Sequence, residues 1–371
     1  MTLGRPVATV VIPTHDHAAL LDLSVGSVLA QTVVDLEVVV VGDGAGDDTR
    51  EVMSALCRRD DRVRFLDLPK GPNHGEVHRG RAVAEASGEV VCYLSDDDVL
   101  LPEHVADMVD LLAGADLAHC MNGYVDPDGI WYPCIGDLAD PFCRHWVLRP
   151  DCNFVSLTGA AHTKAAYARL PHGWRTTPAG RWPDHYMWQE FLGQSWVRSA
   201  TSRRVTALQF PSHLSGRGAW TADQRRAEVE TFLHMVSDPA GRADFDHMTR
   251  LAVMRHAAPL ALLAADRLAV IQRLEEELAA ERAVARAAAE ETECSSAQAA
   301  EEAARGAVLV ELAAVRRELA AVQATRTWRV RSALLRIPAL GVLARLTAGR
   351  GRSASPSPSP SPEAGATRPT G

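Results

Sequence analysis

The stretch "VVIPTHDHAALLDLSVGSVLAQTVVDLEVVVVGDGAGDDT", residues 10–49, carries the strongest indication of the fold class. Two continuous β-rich runs, 7–13 and 36–42, flank a segment over 18–30 with helical spacing of its apolar residues. Strands that are apolar throughout, rather than alternating, are typical of parallel sheets covered by helices on both faces. The stretch therefore predicts a strand, helix, strand unit of an α/β protein.

The same unit repeats as far as residue 95. We expect right-handed crossovers between parallel strands, which bring the carboxyl ends of the strands to one edge of the sheet, where ligands bind. A helix over about 102–113 and a strand over about 116–121 follow, and the region 120–221 is less regular. The further predicted strands are 62–68 and 89–95, and the further predicted helices are 48–59 and 76–86.

Composition excludes several classes of protein. The net charge of -8 and the pI near 6.0 argue against a general nucleic-acid binder, which needs a basic excess to neutralise phosphate. The seven cysteines include no C-x-x-C pair, so reduced thiols are favoured over a zinc ribbon or a disulfide framework. No run of 18 apolar residues occurs, and we expect a cytoplasmic protein, with peripheral contact at the inner face of the cell membrane.

Polar clusters follow three of the predicted strands. Pro13, Thr14 and Asp16 follow the first strand, Asp43 stands between two glycines after the second, and Asp96, Asp97 and Asp98 follow the fourth. Taken singly, these clusters fit a helix cap, a turn and a polar loop tip. Their coincidence at one sheet edge favours a binding site instead. Three adjacent carboxylates suit Mg²⁺ or Mn²⁺, which takes oxygen ligands and bridges to a diphosphate.

Four motifs in order carry a resemblance to a known family. They are the stretch 10–49, "NHG" at 73–75, "GEVVCYLSDDDVLLP" at 88–102 and "RWPDHYMWQEFLG" at 181–193. Over about 200 residues the chain resembles the family-2 nucleotide-sugar glycosyltransferases, which are inverting enzymes. The resemblance implies the GT-A fold, a Rossmann-like, mostly parallel sheet flanked by helices.

The resemblance also implies roles for single residues. Pro13, Thr14 and Asp16 would line the nucleobase pocket, Asp43 would bind the base or ribose, Arg79 would lie near the nucleotide, and Asp96 would contact the ribose. Asp97 would bind the metal. Because Ser95 stands where the family often has an aspartate, the choice of metal ligand between Asp97 and Asp98 stays open. His213 falls where related enzymes place a residue that closes over the diphosphate or the metal.

Asp184 is the candidate catalytic base. It opens a helical segment, as the family's catalytic acid does, although Pro183 precedes it where the family more often has Glu-Asp. As an isolated residue it would be a helix N-cap. The implied reaction is metal-dependent transfer of a sugar from a nucleoside diphosphate sugar to a hydroxyl acceptor, a glycan or a lipid-linked glycan, in surface polysaccharide, glycolipid or glycoconjugate synthesis. The alternative is a catalytically weak nucleotide-sugar-binding scaffold that acts through a coiled coil.

The composition changes near residue 266, where alanine, glutamate and arginine become dominant. Apolar residues at 4-3 spacing predict a helix of nearly 60 residues over 266–323 that pairs with another copy as a coiled coil; a solvated single helix and a hairpin folded back are the alternatives. Residues 326–352 are basic and amphipathic, as in segments that lie on anionic membranes. We expect a GT-A domain over 1–250 (nucleotide half 1–115, acceptor half 116–250), a helical linker and coiled coil over 251–325, the basic segment 326–352 and a disordered Ser/Pro tail over 353–371.

Overall fold

The centre of the protein is one mixed β-sheet with helices on both faces. The computed structural model describes residues 5–125, 131–133, 136–150, 152–211, 216–291 and 295–324. Within these residues the sheet has nine strands. None of the helices in these ranges is long and apolar enough to cross a membrane.

The first half of the sheet is parallel and confirms the predicted repeat. β1 lies between β2 and β4, and β3 extends this half beyond β2. All eight residues of β2 are buried, as expected for a strand covered on both faces. The elements of this half are β1 Ala8–Thr14, α1 Ala18–Leu29, β2 Leu36–Asp43, α2 Asp47–Arg59, β3 Val63–Leu68, α3 Val77–Glu85 and β4 Val90–Tyr93.

The second half is largely antiparallel, so the prediction of a mostly parallel sheet holds only for the first. β8 is antiparallel to β4 and to β6, β6 is parallel to β9, and β5 and β7 are antiparallel to β9 and β6. Antiparallel strands need no helical crossover, and this half lacks the regular strand-helix alternation of the first. Its strands are β5 Val99–Leu100, β6 Leu117–Val125, β7 Trp131–Pro133, β8 Ala160–Thr163 and β9 Ser199–Gln209.

Helices of the second half pack around this sheet and extend beyond it. α8 begins with a capping box, in which Thr221 and Gln224 satisfy each other's backbone N–H groups. Its buried residues Val229, Phe232 and Val236 pack against β5 and β9. The helices are α4 His104–Leu112, α5 Pro141–Val147, α6 Lys164–Tyr167, α7 Pro183–Leu192, a 3₁₀ turn Arg217–Ala219, α8 Ala222–Ser237, α9 Pro239–Glu291 and α10 Ser295–Ala324.

Residues 266–323 form parts of two helices, so the prediction of one continuous helix is wrong. Only residues 292–294 separate α9 from α10, and the two helices pack against each other. Ile271 and Leu278 of α9 are buried against Leu312 of α10, and Arg316 is bonded to Glu275. The 4-3 pattern specifies an apolar seam but not the helix that covers it, and here the seam is covered within one chain.

The described residues thus correspond to the hairpin alternative. Pairing with a second copy stays a prediction. The basic segment 326–352 and the tail 353–371 lie outside the described residues.

Candidate active site

The candidate site lies at the carboxyl edge of the parallel strands. Thr14, the last residue of β1, pairs with Gly42, and Asp43 pairs with Leu68, so the strand ends are level. Thr14 is buried and its Oγ1 has no hydrogen-bond partner among the described residues. Pro13 is half-buried and Asp16 exposed. Their roles around the nucleobase stay predictions.

Asp43 is held as an ionised carboxylate by the loop after β3. Its Oδ1 accepts a hydrogen bond from the Gly71 N–H and its Oδ2 accepts one from Lys70 Nζ, each at 2.5 Å. Burial would raise the pKa of Asp43, but these two donors lower it below its ordinary value. Asp43 therefore presents a negative, fixed acceptor at the end of β2. Sequence reasoning found Asp43 but missed Lys70, for which no motif gave a signal.

The "NHG" motif shapes that loop. Asn73 and Gly75 both have positive φ, at 50° and +62°. A Cβ on Gly75 would lie 2.1 Å from Cγ of Asp43, so only glycine allows this approach. Asn73 Nδ2 donates to the Thr177 carbonyl at 2.8 Å, and the buried Glu76 carboxylate accepts from the Thr177 N–H at 2.6 Å. These bonds fix the loop against the segment that precedes α7.

The three consecutive aspartates have three different sets of partners. Asp96 Oδ1 is 2.9 Å from Nδ1 of His17, at the start of α1. Asp97 Oδ2 accepts a hydrogen bond from Arg225 Nη2 of α8 at 2.8 Å. Asp98 points into the protein. The repulsion expected among three adjacent carboxylates is thus relieved by separate partners.

Asp98 is buried and hydrogen-bonded to other groups of the protein. Its carboxyl accepts hydrogen bonds from Thr158 Oγ1 at 2.5 Å, the Phe210 N–H at 2.9 Å and Gln209 Nε2 at 3.3 Å. Burial, with Asp97 next to it, raises the pKa of Asp98 to about 8. A buried carboxyl with these bonds ties the aspartate loop to β9 and to the segment before β8.

The described residues that could share a metal ion are His17, Asp96 and Asp97. One potential ligand atom from each lies within 4.8 Å of the others. One imidazole and two carboxylates form a donor set that suits Mn²⁺ or a similar divalent cation. The structure does not bring Asp98 into this cluster, and His213 lies outside the described residues.

His17 is the member of this cluster that sequence reasoning missed. Its hydrogen bond to Asp96 raises the pKa of His17 to about 9, against the opposing effect of burial. Burial and the adjacent Asp96 raise the pKa of Asp97, while His17 and Arg225 lower it in part. His17 stands 79 residues before Asp96, a pairing that no local pattern indicates.

Asp184 lies in a pocket beside this edge. The pocket has a volume of about 210 Å³. Asp184 is the second residue of α7, and its Oδ1 accepts the His185 N–H at 2.8 Å. Burial raises the pKa of Asp184, an effect that Arg79 partly offsets. The lining residues are His74, Arg79, Ser95, Leu157, Trp182, Pro183 and Asp184.

Arg79 is placed beside the candidate base. Its guanidinium lies 4.8 Å from the Trp174 ring centroid, and its buried Nε has no hydrogen-bond partner among the residues that the structure describes. Ser95 joins the pocket to the aspartate loop, since Asp96 is the next residue. A carboxylate of raised pKa, a cation and a candidate metal cluster thus lie at or beside one edge of the sheet, an arrangement that suits a group-transfer reaction.

The comparisons with known proteins agree with that class of reaction. Residues 9–147 match the model of the family described as Glycosyl transferase family 2. It is 37% identical over 99 residues to the GalNAc(5)-diNAcBac-PP-undecaprenol beta-1,3-glucosyltransferase of Campylobacter jejuni, a match covering 26% of this chain and 31% of that protein. It is 35% identical over 127 residues to the chondroitin synthase of Pasteurella multocida, covering 33% of this chain and 13% of that one.

A solved structure is also similar. The mannosyltransferase PcManGT of Pyrobaculum calidifontis, in complex with GDP-Man and Mn²⁺, aligns with 88% of both chains at 21% identity and a TM-score of 0.43. The chain spans about a third or less of the length of the curated relatives named above.

Proposed function

We propose that this protein transfers a sugar from a nucleoside diphosphate sugar to a hydroxyl acceptor, with inversion at the anomeric carbon. The observation that carries the proposal is the position of Asp184, which shares one pocket with Ser95, the residue directly before the aspartate loop. A base on one side of a reacting carbon and a leaving-group site on the other are what a single displacement requires. The GT-A fold, with its nucleotide half and acceptor half, belongs to the same proposal.

The donor nucleotide would bind along the strand ends. The fixed carboxylate of Asp43 suits hydrogen-bond donors of a base or a ribose, and the buried Oγ1 of Thr14, unpartnered within the described residues, offers a further polar contact. Asp96 follows in the direction of the ribose and diphosphate. The predicted contacts of Pro13 and Asp16 with the nucleobase belong to the same proposal.

His17, Asp96 and Asp97 would hold a divalent metal ion, Mg²⁺ or Mn²⁺, and His17 would give up its proton when the ion binds. Their ligand atoms are close enough to share one ion. When bound, the ion would neutralise the charge that develops on the departing diphosphate. The partners of Asp98 make Asp97 the better choice of the two metal ligands predicted from the sequence.

Asp184 would accept the proton of the acceptor hydroxyl. Its Oδ1 accepts the His185 N–H, so the start of α7 orients the carboxylate in the pocket. Because burial raises its pKa, Asp184 is a stronger base than an exposed aspartate. Arg79, the neighbouring cation, would keep the carboxylate ionised before proton transfer.

The test is Asp184→Asn in a transfer assay with a panel of nucleotide sugars and hydroxyl acceptors. We expect turnover to fall by about 100-fold or more, since general base catalysis contributes about that much. The control is Asp223→Asn, which removes an exposed acid from the same position of another helix, α8. Near-normal turnover of Asp184→Asn would refute its role as the base. The scaffold alternative would be favoured if the wild-type protein binds the donor but neither transfers its sugar nor hydrolyses it.

The acceptor and its place in the cell are further parts of the proposal. One relative is named for an undecaprenol-linked acceptor and another for a polysaccharide. We propose a glycan or lipid-linked glycan acceptor in cell-envelope synthesis, reached from the cytoplasmic side. The basic segment 326–352, with seven arginines and no acid between residues 325 and 352, would make the peripheral membrane contact.

A further inference from the structure

We propose that Arg225 is a cation of the diphosphate subsite. In the metal-free protein Arg225 holds Asp97 and opposes metal binding there, and in the nucleotide complex it binds the diphosphate directly. This inference rests on the proposed donor site and adds a residue to it. Its first support is position. Arg225 Nη2 donates to Asp97 Oδ2 at 2.8 Å and to the Phe210 carbonyl at 3.3 Å. The guanidinium thus occupies a carboxylate oxygen of a candidate metal ligand.

The second support is the rigidity of the helix that carries it. Arg226, the next residue, forms two hydrogen bonds to Asp22 of α1, at 2.8 and 2.9 Å. The buried Arg217 forms two hydrogen bonds to Glu228, at 2.7 and 2.9 Å, one turn beyond Arg225. Paired arginine-carboxylate bonds fix orientation as well as distance. α8 therefore delivers Arg225 to the aspartate loop from a fixed position.

The third support is unused hydrogen-bonding capacity. Nε of Arg225 is buried and has no hydrogen-bond partner in the described part of the chain. The side chain is 12% exposed, and that of Asp97 is 14% exposed. A guanidinium keeps its charge at all ordinary pH values and matches phosphate oxygens with several N–H groups. A diphosphate that reaches this edge would supply an acceptor for the unused donor.

These observations predict two opposite effects of removing the charge. Without Arg225, Asp97 loses the cation to which it is hydrogen-bonded, so a divalent cation should bind more tightly to the nucleotide-free protein. A nucleoside diphosphate should bind more weakly in the absence of metal, because a charge-assisted contact is lost. Loss of structure alone would weaken both kinds of binding.

The experiment measures binding in the wild-type full chain and in Arg225→Ala, Arg225→Gln and Arg250→Ala. Mn²⁺ binding without nucleotide is followed by electron paramagnetic resonance. Binding of UDP and GDP in excess EDTA is followed by calorimetry. Arg250→Ala is the matched control, since it removes an exposed arginine of α9 that takes no part in the proposed site.

Relative to Arg250→Ala, we expect both Arg225 variants to bind Mn²⁺ at least about threefold more tightly in the absence of EDTA. In excess EDTA we expect them to bind the nucleotide that the wild-type protein prefers, UDP or GDP, at least about tenfold more weakly. Arg225→Gln keeps much of the side chain's bulk, so folding losses in Arg225→Ala do not decide the result; thermal unfolding of each variant is recorded alongside. The proposal is overturned if either binding constant is the same in the Arg225 variants as in Arg250→Ala. Failure of the proposed function would instead be seen as near-normal turnover of Asp184→Asn in the transfer assay, a readout separate from these binding constants.

Discussion

Gly75→Ala is expected to weaken nucleotide binding through Asp43. The new Cβ would lie 2.1 Å from Cγ of Asp43 and 2.3 and 2.5 Å from its two oxygens, so the carboxylate must move. Moving it breaks the hydrogen bonds from the Gly71 N–H and Lys70. The positive φ of +62° adds backbone strain of about 1–2 kcal/mol, which lowers the free energy of unfolding.

The loss of nucleotide affinity follows from the hydrogen bond that Asp43 would make. A hydrogen bond to a charged group contributes about 1.5–3 kcal/mol, and about 1.4 kcal/mol corresponds to tenfold in affinity. We therefore expect Gly75→Ala to bind UDP or GDP about 10- to 150-fold more weakly in calorimetric titrations with Mn²⁺. Thermal unfolding should show the loss from backbone strain together with that from the two broken hydrogen bonds.

Gly180→Ala is the matched control. Gly180 also has a positive φ, +76°, but a Cβ added there would meet no atom of the described chain within 4 Å. It should show the same strain without displacing Asp43. If both variants lose equal nucleotide affinity, or if neither loses any, Asp43 does not contact the nucleotide in the way proposed.

Three further predictions concern the helical hairpin, the basic segment and pH. Leu312→Ala, which empties a buried position of the α9–α10 seam, should destabilise the hairpin by about 2–5 kcal/mol and speed its proteolysis, whereas the exposed Val310→Ala should not. Deleting residues 325–371 should abolish sedimentation with vesicles that contain anionic lipid, and unchanged sedimentation would exclude the basic segment as the anchor. Burial lowers the pKa of His104, His119 and His162 from 6.5 to about 4, so these three histidines are neutral in the folded protein. As pH falls from about 6.5 to 4, these histidines take up protons in the unfolded chain but not in the folded protein, so the free energy of unfolding should decrease over that range. His104→Gln should reduce the slope of the free energy of unfolding against pH by about 1.4 kcal/mol per pH unit.

The parallel half of the fold could be predicted because its signals are local. The run 36–42 is apolar at nearly every position, and β2 is observed over Leu36–Asp43. Strand ends that carry Thr14, Asp43 and Asp96 then fall on one edge by topology alone. The antiparallel half lacked such signals, since β8 has four residues and β5 has two.

The partners within the site could not be predicted in the same way. Arg225 is 128 residues from Asp97, and His17 is 79 residues from Asp96. Each residue taken alone reads as a polar position at or near the start of a helix. Only the packing of α8 and α1 against the sheet edge makes them neighbours of the aspartate loop.

The partners of the three aspartates also change what a chelation experiment means. His17 and Arg225 provide positive charge to Asp96 and Asp97, and Asp98 is buried against hydrogen-bond donors. The loop is thus compensated by the protein's own groups, and nucleotide binding that persists in EDTA does not by itself argue against a metal site. The decisive comparison is EDTA together with Arg225→Ala. If Asp97 serves the metal and Arg225 serves the diphosphate, that combination removes both cations from the subsite and should lower nucleotide affinity more than either change alone.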